Sequence, residues 1–187
     1  MILLETARLR LRRFTLDDAE LLVELDSDPE VMRYITFGAP TPREAYVNTY
    51  MPRWFEIYEQ FPLLGYWAAE HRRDGEFLGW FHLRDDRIEP QYLELGYRLR
   101  RAAWGRGYAT EGGVALVAHG FERVGADRIS ARTLVGNTAS QHVIEKCGLR
   151  RTGSFVYPDS IKPGHGDDER RAYKYEIDRA GWLASRA

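Results

Sequence analysis

Between Glu94 and Glu111 the chain reads Glu-Leu-Gly-Tyr-Arg-Leu-Arg-Arg-Ala-Ala-Trp-Gly-Arg-Gly-Tyr-Ala-Thr-Glu, and here lie the residue types best suited to hold an anion. Gly105 and Gly107 flank Arg106 in a turn, Trp104–Ala109. An apolar-rich run precedes the turn, and a helical pattern follows it. A strand that ends in glycines and starts a helix aims several backbone N–H groups at one point. The first helical turn adds free N–H groups and the positive end of the dipole. The glycines allow close approach and unusual φ/ψ, and Arg106 adds charge. Two phosphate fingerprints are absent: there is no Gly-x-x-x-x-Gly-Lys-Ser/Thr and no Gly-x-Gly-x-x-Gly in this stretch. The competing reading is a plain glycine turn joining strand to helix.

Other side chains could move protons. Glu94 stands on the strand that enters the turn, and alternation puts it on one face with Tyr92, Gly96 and Arg98. It could act as a base or pair with a neighbouring arginine. His82 has the pKa class for proton transfer near neutrality, against the commoner structural role of a lone strand histidine. Asn137 precedes a helical pattern by one residue, with Ser140 three further on, which is a helix N-cap arrangement. Glu111, in a first helical turn, suits the dipole or an arginine partner. Cys147 sits among Val143, Ile144 and Gly148 and reads as inert core.

The surrounding pattern supplies the elements that hold these groups. Arg8–Phe14 alternates as a half-buried strand, and Thr15 with Asp18 reads as a capping box before a helix that buries Ala19, Leu22 and Val23. Asp28-Pro29 starts a short second helix. Thr41-Pro42 opens another, with Tyr46, Tyr50, Trp54, Ile57 and Tyr58 near one face and Pro52 set to kink it. These aromatics suit either the core or a pocket wall. Gly65–Glu70 and Phe77–Leu83 are strands joined at Asp74-Gly75. After the glycine turn come a helix with Val114, Val117, Ala118, Phe121 and Val124 on one face, a strand over Arg128–Leu134, and the helix begun by Asn137. Strands over Arg151–Tyr157 and Arg171–Ile177 follow, with a polar, mobile connection over Pro158–Glu169 between them. The order predicts an α/β chain with one mixed sheet and helices on both faces.

Length and composition bound the rest. The 187 residues suffice for one domain, 1–187, with a substantial core. A formal charge of −1 gives no general drive toward nucleic acid or membrane. Lys146, Lys162 and Lys174 are the only lysines among 27 basic residues. One cysteine allows no intrachain disulfide and no cysteine-based zinc site, and no metal is expected. Glu5 and Arg8 follow Ile2–Leu4 too closely for a signal peptide, and no apolar run nears the roughly 20 residues of a bilayer span. The expectation is a cytoplasmic protein.

Two strings then carry a resemblance. Trp104-x-x-Gly107-x-Ala109 is similar to the acyl-CoA motif of the GNAT N-acetyltransferases, with Trp where the family usually has Gln or Arg. Trp-Gly-Arg-Gly-Tyr-Ala-Thr-Glu and, far from it, Asp28-Pro-Glu-Val-Met-Arg-Tyr34 resemble the ribosomal-protein (RimJ/RimL-like) branch. The resemblance spans nearly the whole chain and implies the GNAT fold and acetyl-CoA as co-substrate. It implies that Trp104, Gly105, Arg106, Gly107, Tyr108, Ala109 and Thr110 hold the pyrophosphate, that Tyr97, Arg98 and Leu99 carry the pantetheine arm, and that Asn137 contacts it. A splay between the central strand and Arg128–Leu134 would make the slot. Many family members place a general-acid Tyr seven residues after that Asn; here Ile144 stands there, and the branch pattern offers Ser140 instead. Glu94 is the first candidate base and His82 the second. The implied acceptor is a primary amine, a protein N-terminus first and a small amine such as an antibiotic or polyamine second. The competing classes are a non-catalytic acyl-CoA sensor and a nucleic-acid binder using Arg98–Arg106. The family suggests a monomer or homodimer.

A free α-amine has a pKa near 7.7–8.0, so deprotonation at pH 7 costs about 1–1.4 kcal/mol, against about 4.6 kcal/mol for an ordinary lysine. With no strong base evident, an α-amine is the easier acceptor.

Overall fold

A computed structural model describes residues 1–162 and 164–186. The N-terminal part runs β1 (Ile2–Glu5), β2 (Leu9–Arg13), α1 (Ala19–Ser27), α2 (Pro29–Met32), α3 (Arg43–Ala45) and α4 (Met51–Gln60). The middle holds β3 (Gly65–His71), β4 (Phe77–Asp85), β5 (Leu93–Leu99), α5 (Tyr108–His119) and β6 (Arg128–Leu134). The chain closes with α6 (Thr138–Lys146), β7 (Arg150–Val156), α7 (Asp167–Arg170), β8 (Arg171–Asp178) and α8 (Arg179–Ala184).

The strands form one sheet in the order β1-β2-β3-β4-β5-β6-β8-β7. Among the described residues only β5 and β6 run parallel. Their register holds at Leu93–Ile129 and Glu94–Ser130 alone, although each strand has seven residues. Beyond Glu94 the two strands part, and the backbone groups that each turns toward the other have no ladder partner there.

Helices cover both faces, as the element order predicts. Phe81 and Tyr97 are cross-strand partners on one face, and Phe81 packs so tightly on α5 that a Cβ on Gly112 would fall 2.4 Å from its ring. His82 and Gly96 pair on the other face, where Tyr66 stacks on Trp54 of α4 at 4.5 Å. Strand β4 is buried from Phe77 to Leu83 because both its faces are covered.

Some local expectations differ from the structure. Val114 is 46% exposed; α5 instead buries Gly112, Gly113, Leu116 and Val117. The glycine pair lets the helix approach the sheet, so the contact face centres on the glycines. Pro52 does not break its helix. A π-turn over Tyr46–Tyr50 precedes it and absorbs the missing donor, and the α-helix continues from Met51. Tyr46, Trp54 and Tyr58 are buried and Tyr50 is exposed. The edge strand β1 and the helix α8 are additional; α8 is capped by Asp178 and stacks Trp182 on Phe121.

Candidate active site

The glycine turn is built as its residues dictate. Strand β5 ends at Leu99, whose carbonyl accepts a 2.8 Å hydrogen bond from Trp104 Nε1. Gly105 and Gly107 have φ of +70° and +82°. A Cβ at Gly105 would meet nothing within 4 Å, so the glycine requirement there is conformational and not steric. Gly107 is the N-cap of α5, which leaves the first-turn N–H groups of Tyr108, Ala109 and Thr110 directed out of the helix end. Arg8 braces the turn: its Nη1 donates to the Arg106 carbonyl at 2.9 Å, and its backbone N and Nε donate to Glu111. Burial pushes the Glu111 carboxyl up, but Thr6 and Arg8 outweigh it and hold the group below the ordinary range. The arginine partner expected for Glu111 is therefore Arg8.

The parting of β5 and β6 opens a cavity of about 790 Å³. It brings together Glu94, Tyr97, Arg98, Leu99, Trp104, Gly105, Gly107, Tyr108, Ala109, Thr110, Asn137 and Ser140, which sequence spacing scatters over 47 positions. Arg106 alone of the expected site residues is not part of this wall; its guanidinium lies 5.2 Å from the Tyr108 ring centroid. Free N–H groups at the helix end, unpaired strand groups in the slot, and this volume fit a phosphate-bearing cofactor with an extended amide arm.

Strand β5 presents different chemistry on its two faces. On one, Glu94 Oε2 receives Arg84 Nη2 at 2.5 Å, and Glu94 Oε1 lies 3.6 Å from Arg132. The salt-bridge alternative for Glu94 thus has its geometry. His82 Nε2 is 3.9 Å from Glu94 Oε2. The imidazole lies directly on Gly96, where a Cβ would come within 2.4 Å of the ring. Both its nitrogens lack hydrogen-bond partners among the described residues. Burial first, then Arg84, Arg87 and Arg98, hold its pKa well below the ordinary value, so the ring is neutral and carries a free lone pair. Arg98 is committed to Asp26, which is fully buried and also accepts from Tyr46 at 2.5 Å. This pair ties α1 and the aromatic helix to β5.

On the opposite face Tyr97 reaches α6. Its hydroxyl lies 2.9 Å from Ser140 Oγ. Burial holds the phenol above its ordinary pKa, so it stays protonated. Asn137 Oδ1 accepts from the Ser140 backbone N at 3.1 Å, which is the cap read from the sequence. Its side-chain amide donors have no partner among the described residues and face the same cavity. Cys147 is buried, with its thiol pushed up to about 12 by burial, and is not a nucleophile.

Four groups at the site escape the sequence reading. Arg8, Arg84 and Arg132 are located by strand register and helix docking, which local patterns do not encode. Lys162 comes from the polar connection after β7, and its ammonium donates to the carbonyls of Tyr34 and Ile35 at 3.1 and 2.8 Å. The lysine scarcity of the chain was the available signal. A second, smaller cavity of about 390 Å³ shares Arg84 and Arg87 with the first and is walled by Tyr50, Trp54, Ile57 and Tyr66. The aromatic helix therefore serves both core and pocket wall.

A mixed sheet whose two parallel strands part over a glycine turn and helix end is the architecture of a class of protein that seats a phosphate-bearing cofactor with its arm between the strands. The family model described as Acetyltransferase (GNAT) domain matches residues 8–150. The FsC-acetyl coenzyme A-N(2)-transacetylase of Aspergillus fumigatus is 34% identical over 96% of this chain and 77% of its own length. A GNAT-family acetyltransferase from Bacillus anthracis superposes with a TM-score of 0.76 at 26% identity, covering 95% of this chain and 98% of its own. The fold is also that of RimL, a ribosomal L7/L12 alpha-N-protein acetyltransferase solved with coenzyme A, at a TM-score of 0.76 and 15% identity over 95% and 98% of the two chains. The chain belongs to the GNAT acetyltransferase family and is an acetyl-CoA-dependent N-acetyltransferase. No helix among the described residues is long and apolar enough to cross a membrane.

Proposed function

We propose that the acceptor is a free α-amine, presented first by a polypeptide N-terminus. The observation that carries this is the base inventory. Glu94 is held between Arg84 and Arg132, and the histidine beside it, His82, is a neutral, desolvated imidazole. Such a site suits an amine whose deprotonation is cheap at neutral pH. The smaller cavity beyond Arg84 and Arg87 gives room and aromatic surface for the residues that follow an N-terminus.

In this reading the Gly105–Thr110 turn holds the pyrophosphate, β5 past Glu94 and Asn137 hold the pantetheine arm, and bound acetyl-CoA supplies an activated acetyl group. His82, with Glu94 3.9 Å from its Nε2, takes the amine proton directly or through water. Ser140, hydrogen-bonded to Tyr97, delivers a proton toward the departing sulfur. Placement of the amine beside the thioester provides the remaining rate enhancement.

The small-molecule alternative has one specific support, the 34% identity to a transacetylase named for an N(2) position. Polyamines and other polycations have little to bind, because Glu94 is already paired with Arg84 and Arg132, and Arg87 and Lys162 stand on the same cavity wall without a carboxylate partner among the described residues. The test is acetyl transfer to free-N-terminus peptides, the same peptides blocked but carrying Lys, small α-amino compounds and polyamines, read by mass spectrometry. Product on free α-amines alone supports the proposal. Product on polyamines or internal lysines, with free N-termini untouched, overturns it.

A further inference from the structure

The polar connection after β7 carries a lysine into the transfer cavity. Lys162 Nζ donates to the carbonyls of Tyr34 and Ile35, and the rings of Phe37 and Tyr157 lie 5.2 and 5.7 Å away. No carboxylate pairs with it among the described residues. Tyr34 ties this position to the cofactor slot, because its hydroxyl donates to the Gly136 carbonyl at 2.9 Å, one residue before Asn137. Tyr157 and Lys162 share the cavity wall with His82, Glu94, Tyr97 and Ser140. The amine therefore lines the same cavity that the parting of β5 and β6 opens.

We propose that Lys162 is an acetylation site of the enzyme itself, modified in its own cavity by the acetyl-CoA that the chain binds. The inference rests on the acetyl-CoA reading of the glycine turn. Lys162 Nζ, as the free amine, attacks the thioester carbonyl carbon. A C–N bond forms and the C–S bond breaks. One amine proton leaves to the base or to water, and the sulfur departs as the thiol after taking a proton. The products are Nε-acetyl-lysine and coenzyme A, with no oxidant or reductant required.

The local chemistry favours the step. Burial first, with Arg98 adding to it, brings the Lys162 amine down to about 8. At pH 7 about one amine in ten is then free, against roughly one in 2,500 for a lysine at 10.4, a gain of about 250-fold. By contrast Lys174 is clamped by Glu89 and Glu176, which holds it above the ordinary range despite burial. Acetylation leaves Lys162 with a single N–H donor, so at most one of its two carbonyl contacts survives. Modification would then weaken the hold of Lys162 on Tyr34 and Ile35.

The test incubates the intact protein with acetyl-CoA at pH 7.5 and follows acetyl incorporation by peptide mapping. Acetyl-CoA affinity by calorimetry and transfer to the best external amine are measured on the same preparation. The expected result is one acetyl group, on Lys162, gained at least tenfold faster than on Lys146 or Lys174. The rate should saturate with acetyl-CoA, fall on addition of coenzyme A, and be independent of protein concentration. Lys162→Arg should remove that acetyl group without moving it to another lysine. Binding and external transfer with Lys162 unmodified, or modified no faster than Lys146, overturns the proposal while leaving the transferase reading intact. Absence of acetyl-CoA binding overturns both.

Discussion

The hydrogen bond between Tyr97 and Ser140 is the most direct handle on the proposed route of proton delivery to the departing sulfur. Ile144 occupies the position where many relatives carry a general-acid tyrosine, and it is buried and apolar. Tyr97 places a phenol 2.9 Å from Ser140 Oγ from the neighbouring strand instead. If the two hydroxyls act as one relay, removing either breaks the same path. General acid catalysis contributes about 10²–10⁴-fold, so Tyr97→Phe and Ser140→Ala should each lower kcat by about 100-fold, or ~2.7 kcal/mol in the barrier. Independent contributions predict a 10⁴-fold loss in the double variant. A single relay predicts about 100-fold again, a coupling of ~2.7 kcal/mol. The stability cost is separate and smaller: one hydrogen bond is worth about 1 kcal/mol, or ~2–4 °C in melting temperature for a domain of this size.

The assay is thiol release at saturating acetyl-CoA and acceptor, and the inert Cys147 adds no background. The KM for acetyl-CoA should change little, because in the proposed relay the hydroxyls act on the leaving group and not on the phosphates. Tyr97→Phe at wild-type kcat, or losses that multiply in the double variant, would refute the relay. Since burial raises the Tyr97 phenol, the acid stays protonated and should impose no alkaline decline on kcat below the ordinary tyrosine range.

Three further outcomes follow from the geometry. Replacing Gly107, at φ +82°, with Val forces a branched residue into the left-handed region at ~1–2 kcal/mol; acetyl-CoA affinity should fall about tenfold or more by calorimetry, and unchanged affinity would sink the loop assignment. Glu111 has a folded pKa below its unfolded one, so its contribution is present above about pH 4.5 and is lost as pH falls through the folded pKa. Glu111→Gln should therefore melt lower than the parent at pH 7, by about 1 kcal/mol given the half-exposed Arg8, with the gap closing below pH 4; a gap that persists in acid contradicts the pairing. Cys147 should react with iodoacetamide at pH 8 far more slowly in the native than in the unfolded chain, and rapid native labelling would place the thiol elsewhere.

What the sequence discloses and what it hides have a common physical cause. Patterns that depend on residues close in the chain are legible: the turn glycines, the Asn137 cap, the Asp28-Pro29 start, the alternation that puts Glu94, Gly96 and Arg98 on one face. Pairings that depend on strand register are not. Nothing near Glu94 in the chain announces Arg84 opposite it on β4 or Arg132 behind it on β6, and Lys162 reaches the cavity through a connection with no periodic signal. The buried stripe of α5 is misread for a related reason. Valines mark burial in a local pattern, whereas here the helix meets the sheet through Gly112 and Gly113, which carry no side chain to count.

The same alternation lets one strand carry the groups proposed for both ends of the transfer. Successive residues of β5 point to opposite faces, so Tyr97 reaches α6 and Ser140 while Gly96 lies beneath His82. In an unbroken sheet those two faces would be sealed from each other by the backbone of β6. Here the parallel pairing stops at Glu94–Ser130, before Gly96 and Tyr97 are reached. The opening falls where groups of both faces meet, and an extended arm lying in it would present its end between the neutral imidazole and the hydroxyl pair. In the proposed mechanism, the early end of the β5–β6 register is what would bring His82 as proton acceptor and the Tyr97–Ser140 pair as proton donor, fixed on opposite sides of the sheet, to a single reacting centre. A substitution that extended that register by two residues would separate them, with every side chain still in place.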